Sequence, residues 1–80
     1  MKFNDFEGVK NISGERIHQA RTAQRMTQLE LAAKMQVEGV VIEREAISKI
    51  ETGGRLVTDY ELAAFAKVLR VTVDWLTESK

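Results

Sequence analysis

The 80-residue chain has no cysteine and no proline. The lack of cysteine excludes a disulfide framework and thiolate chemistry, and suits a cytoplasmic protein. With no proline, helix ends must be read from capping residues and glycine. There is no net charge: 12 Lys and Arg balance 12 Asp and Glu. Because affinity for nucleic acid comes largely from phosphate neutralisation, this balance implies weak non-specific binding. The N-terminus has no long apolar run, so neither a secretory signal nor a membrane span is expected. A chain this short makes one domain with a marginal core. Nothing covalent reinforces it, so helix packing must carry its stability.

What is present is helical. Residues 1–12 read as an N-terminal arm in which Phe3 and Phe6 could dock on the domain, and residues 13–80 as the folded domain. A first helix is predicted from about Ser13, its N-cap, to Arg25. Ile17, Ala20, Arg21 and Gln24 share one face, and the arginine there needs a partner. A second helix starts at Thr27, where Thr27-Gln28-Leu29-Glu30 fits a capping box. Its expected buried stripe is Leu29, Ala32 and Met35, with Leu31 beside them. A third helix runs from Glu43 or Arg44 to Thr52 and ends at Gly53-Gly54. Ala46, Ile47 and Ile50 fall on one side of it. Arg44, Glu45, Ser48 and Thr52 fall on the other, with Lys49 at the flank. A fourth helix starts at Thr58, which forms a second capping box with Glu61. Leu62, Ala63, Phe65, Ala66 and Leu69 are its core face. A short fifth helix, Val73-Asp74-Trp75-Leu76, is capped by Thr72. Five short helices in an all-α bundle are the simplest packing solution. Residues 1–27 carry a net charge of +2 and the two later thirds −1 each, so the basic excess lies with the arm and first helix.

Catalytic readings are poor. His18 is the only histidine; with Glu15 one turn away it supplies two candidate ligands, too few for a metal site, and a solvated helix histidine is the better reading. No serine, histidine and carboxylate constellation suggests a hydrolase, and Gly53-Gly54 is too short to cradle a phosphate. No enzyme activity, cofactor or metal is expected.

Taken together, Gly14-Glu15-Arg16-Ile17 with Arg21, Thr27-Gln28-Leu29-Glu30-Leu31-Ala32, Ile47-Ser48-Lys49-Ile50-Glu51-Thr52-Gly53 and Val71-Thr72-Val73-Asp74-Trp75-Leu76 resemble the Cro and phage-repressor type of helix-turn-helix, often called XRE-like. The resemblance covers about residues 13–77. It implies a lambda-repressor-like DNA-binding domain in which the third helix enters the major groove. It also implies a role for each matching position. Thr27 and Gln28 would lie at a phosphate, with Gln28 bracing the third helix. Arg44, Glu45 and Lys49 would read base edges, with Ser48 between them, and Arg55 would contact a phosphate. Arg21 and Glu51 would tie the first helix to the end of the third. Val73, Trp75 and Leu76 would either close the core or meet a two-fold mate. The expected partner is double-stranded DNA, bound by a homodimer acting as a small transcriptional regulator, most simply a repressor. Control is expected from concentration, proteolysis or a partner protein rather than from an effector domain within these residues.

One departure from the family pattern bears on the third helix. Met35 is separated from Ile42 by Gln36-Val37-Glu38-Gly39-Val40-Val41, about five residues more than a tight turn needs. Val40 and Val41 either fold inward or form an exposed apolar turn. The residues alone leave two further alternatives. Glu45 is suited to accept from cytosine, but it is equally suited to a helix N-terminus and to an i,i+4 pair with Lys49. The same fold could instead be a protein-interaction module, such as an antitoxin or a regulator-binding protein; the acidic residues of the third helix, the apolar turn and the zero net charge favour that reading.

Overall fold

A computed structural model of the chain describes residues 8–78; Phe3 and Phe6, singled out in the arm, lie outside them. The order is α1 (Gly14–Ala23), α2 (Gln28–Val37), α3 (Arg44–Glu51), α4 (Asp59–Leu69) and α5 (Val73–Leu76). The expected all-α fold of five helices is what forms. No helix among the described residues is long and apolar enough to cross a membrane.

Local chemistry sets the helix starts. Both capping boxes close: Thr27 accepts from the Glu30 amide and Thr58 from the Glu61 amide, while each glutamate carboxylate accepts from its threonine's own amide. The Thr72 hydroxyl accepts from the Trp75 amide at 2.9 Å and starts α5. The expected cap of α1 is corrected. Ser13 is buried and makes no side-chain cap bond. Instead Asn11 Oδ1 accepts from the Gly14 amide at 2.6 Å. The Asn11 amide group also donates to the Ile50 carbonyl at 3.0 Å and the Arg55 carbonyl at 2.8 Å. The reason is proximity: α1 begins against the end of α3, and a longer side chain two residues earlier can serve both elements. A Cβ on Gly14 would lie 2.0 Å from the Ile50 carbonyl oxygen, so only glycine lets the two helices approach this closely.

Four helices end alike. Arg25, Gly39, Gly53 and Arg70 take positive φ values of 56°, 86°, 82° and 60°. In each case the next amide bonds the carbonyl five residues back: Met26 to Arg21, Val40 to Met35, Gly54 to Lys49 and Val71 to Ala66. This closure satisfies carbonyls that a helix end would otherwise leave free.

The core gathers Ile17 and Ala20 from α1, Leu31 and Met35 from α2, Ile47 and Ile50 from α3, Phe65 and Leu69 from α4, and Leu76 from α5. Two expected core positions are corrected. On α2 the buried line is Leu31 with Met35, one full turn apart, and Leu29 is 66% exposed. On α4 Ala64 is buried and Ala63 is exposed. Both shifts rotate a helix by about one residue position. That change is small on a 100° wheel and is decided only by what each helix packs against. The segment between α2 and α3 splits its valines: Val40 and Ile42 point inward, while Val41 between them is 79% exposed. Extended chain alternates its side chains, so one of the two valines had to face out.

Candidate nucleic-acid interface

Helix α3 is the most sharply two-faced element. Ile47 and Ile50 are fully buried. Arg44, Glu45, Lys49 and Thr52 are exposed, and Ser48 is half-buried. No other described part of the chain covers that outer face. Its N-terminus has no side-chain cap, because Glu43 occupies the cap position without bonding an amide. Backbone donors at the start of α3 therefore remain available.

The opposite end of α3 is held from behind. Glu51, whose side chain is 4% exposed, receives the Arg21 guanidinium through Nε at 2.7 Å and Nη2 at 2.9 Å. Arg21 also donates to the Met26 carbonyl at 2.7 Å. Gln28 Nε2 donates to Glu51 Oε1 at 3.0 Å, so the first residue of α2 is tied to the last residue of α3. Burial pushes the Glu51 carboxyl up, but the bonds from Arg21, Gln28 and His18 outweigh it and leave the group below its ordinary range. Arg21 is held protonated by the same contact. This arrangement accounts for the arginine on an otherwise apolar face.

His18 is not merely solvated. Its Nδ1 lies 3.0 Å from Glu51 Oε1 and 3.1 Å from Arg21 Nη2, although over half of the side chain is exposed. Glu15 lies one turn earlier, and no group of three or more His, Cys, Asp or Glu suited to a metal ion occurs among the described residues.

The remaining site candidates separate. Glu45 pairs with its neighbour Arg44 at 3.3 Å, and both side chains stay more than half exposed. The i,i+4 pair with Lys49 does not form, so Lys49 stands clear of Glu45. Arg55 is more committed than its resemblance to a phosphate contact implied. Its two terminal nitrogens each bond one oxygen of Glu61 at 3.0 Å, and Nη1 also reaches the Leu56 carbonyl. Glu61 is the buried glutamate of the α4 capping box, so this pair closes the loop between α3 and α4. The capping box was visible in the sequence. Its arginine partner was not, because a spacing of six across a loop has no periodic signature. Asn11 was missed for the same reason; its partners are 39 and 44 residues away.

At the far end, Leu76 is fully buried and has no surface for a mate to touch, which removes it from the expected dimer contact. Val73 is 40% exposed. Trp75 is half-buried, with the Arg16 guanidinium 4.7 Å from its ring centroid. Arg16 in turn pairs with Glu78 at 3.1 Å. One face of the indole is thus covered within the chain.

Comparison with known proteins fits this geometry. A helix-turn-helix family model matches residues 17–76. Among solved structures the P22 c2 repressor, crystallised in complex with synthetic operator 9T, superposes with a TM-score of 0.71 at 27% sequence identity. The match covers 88% of this chain and 98% of that one. None of the curated proteins compared with the chain matches it.

Proposed function

The chain belongs to the helix-turn-helix family, and on that premise we propose that it is a transcriptional regulator that binds double-stranded DNA with α3 in the major groove. The observation that carries the reading is the contrast across α3: a polar outer face left open, and a back pinned by Glu51 to α1 and α2. A braced helix presenting exposed polar side chains, bonded at most to an exposed neighbour, is what base readout requires. The P22 c2 repressor, similar over most of its length, is solved on an operator, which supports the same conclusion.

In this reading Arg44 forms the specific contact, bidentate to guanine, after exchanging its exposed bond to Glu45 for the base. Lys49 and Ser48 read the neighbouring positions, and Glu45 accepts from cytosine or steers Arg44. Thr27, Gln28 and the first amides of α2 that its capping box leaves unbonded fix register on a phosphate. Arg55 reaches a phosphate only with the N–H groups that Glu61 leaves free. The protein binds as a homodimer with half-sites one helical turn apart (~34 Å), using Val73 and the open part of Trp75. Repression by occluding the promoter is the simplest outcome.

Selection from a random duplex pool at low salt tests this. The expected result is an enriched palindrome, with affinity falling steeply between 50 and 200 mM salt, by about 10³-fold or more if six phosphates are contacted. Arg44→Ala should then relax preference at one position of each half-site.

A second reading, a protein-interaction module, has its own support. Leu29, Ala33 and Val37 lie at i, i+4 and i+8 on the outer side of α2. Leu29 and Ala33, with Val41, border a groove of about 390 Å³ that runs to Glu43 and Arg44, and Val37 is exposed one turn beyond Ala33. If the pool yields no preferred sequence and DNA binding is absent at low salt, this stripe becomes the leading surface, and Val41→Asp should abolish capture of the partner protein.

A further inference from the structure

Of the four helix ends closed by a left-handed residue, two use glycine and two use arginine. A residue with a Cβ is less stable in that conformation, and such departures cluster where a side chain has a task. Both arginines, Arg25 after α1 and Arg70 after α4, line the same cleft of about 340 Å³. Lys34, from the last turn of α2, lines it too. None of the three forms an ion pair with a described residue. In a chain of zero net charge, three cations from three elements therefore face one concave surface. Glu30 is the only carboxylate in its lining, and one of its oxygens is taken by the Thr27 amide at 2.8 Å. Gln24 Nε2 donates to the Leu69 carbonyl at 2.8 Å and so ties the end of α1 to the end of α4, fixing the width of the cleft.

The helix dipole favours a cation near each helix C-terminus. It does not require three such cations to converge on one cleft. Nor does it require arginine at two positions where glycine would suit the backbone better.

We propose that Arg25, Lys34 and Arg70 form a binding site for a phosphate group, distinct from the outer face of α3. Two planar guanidinium groups without an ion-pair partner, and one ammonium that feels only the Glu30 carboxylate a turn earlier, are set in one cleft and suited to the several oxygens of a phosphate or diphosphate. The phosphate comes either from DNA backbone flanking the half-site or from a free phosphate compound.

The test uses the full chain and inorganic pyrophosphate. Titration followed by amide chemical shifts should perturb Arg25, Lys34 and Arg70 saturably. The double variant Arg25→Gly with Arg70→Gly should bind pyrophosphate at least about tenfold more weakly, since each lost charge-assisted bond is worth roughly a factor of ten. Its melting temperature should stay the same or rise, because glycine suits both backbones. A merely structural role for the arginines would lower it. Lys34→Gln, which leaves the backbone untouched, should also weaken binding. No saturable shift at the three residues, or wild-type affinity in the double variant, would overturn the proposal.

The source is read separately, from the salt dependence of binding to a duplex. A slope reduced by about two in the double variant assigns the site to DNA backbone. An unchanged slope, with pyrophosphate binding lost, assigns it to a free compound. Neither depends on whether α3 reads sequence, because pyrophosphate binding is measured without DNA.

Discussion

The two ends of α3 are built on opposite terms. At its C-terminal end Glu51 is buried and bonded by Arg21, Gln28 and His18, while Asn11 holds the Ile50 carbonyl one residue earlier. At its N-terminal end Glu43 caps nothing, and Arg44 bonds only its exposed neighbour Glu45. The polar bonds that immobilise the helix are gathered at its C-terminal end, whereas Arg44 and Glu45 at the other end are held only by each other. Rigid backbone with movable side chains lowers the ordering cost of recognition without fixing any side chain in the wrong rotamer. Substitutions at the two ends should therefore act on different measurements.

Arg21→Ala should have the largest effect on stability. It strands the Glu51 carboxylate in a buried site and should cost about 3–5 kcal/mol, read as a lowered urea midpoint. If the midpoint hardly moves, the brace is not what holds α3.

Gly14→Ala comes next. Helix propensity alone would favour alanine by up to about 1 kcal/mol. The new Cβ meets a backbone carbonyl at 2.0 Å, however, and a carbonyl cannot rotate away as a side chain can. Net destabilisation of about 1–3 kcal/mol is expected. A stabilised variant would show that α1 and α3 can separate without penalty.

The pH dependence of stability sharpens the same contrast. Glu51 is lowered despite burial, and Glu61 is lowered chiefly by Arg55. A carboxyl depressed on folding contributes stability above its unfolded value and loses it as pH falls through the folded one. Melting temperature should be level above about pH 5 and drop progressively below the ordinary carboxylate range. Glu51→Gln should flatten that drop, whereas Glu45→Gln at the open end should leave its shape unchanged.

Arg44→Ala should do least to stability, within about 0.5 kcal/mol, because its side chain is more than half exposed. It should still remove about 1–3 kcal/mol of discrimination at one base position. A large stability loss would mean that the open end is structural after all.

Much of this protein is determined by sequence alone. The two capping boxes, the Thr72 cap and the Gly53 closure are local: each is satisfied by atoms within about five residues, so their chemistry is readable before any folding. The division of α3 into an apolar and a polar face follows in the same way from 100° per residue. What tertiary structure decided are the matters where the competitors are distant or nearly equal. Leu29 and Leu31 are both apolar, and only packing against α3 and α4 settled which of them is buried. Val40 and Val41 are identical residues, told apart by the direction in which the chain leaves α2. Asn11, His18 and Arg55 found partners across loops, where no periodicity links donor to acceptor. The cleft that joins Arg25, Lys34 and Arg70 exists only because three helix ends, far apart in the chain, are brought to one place.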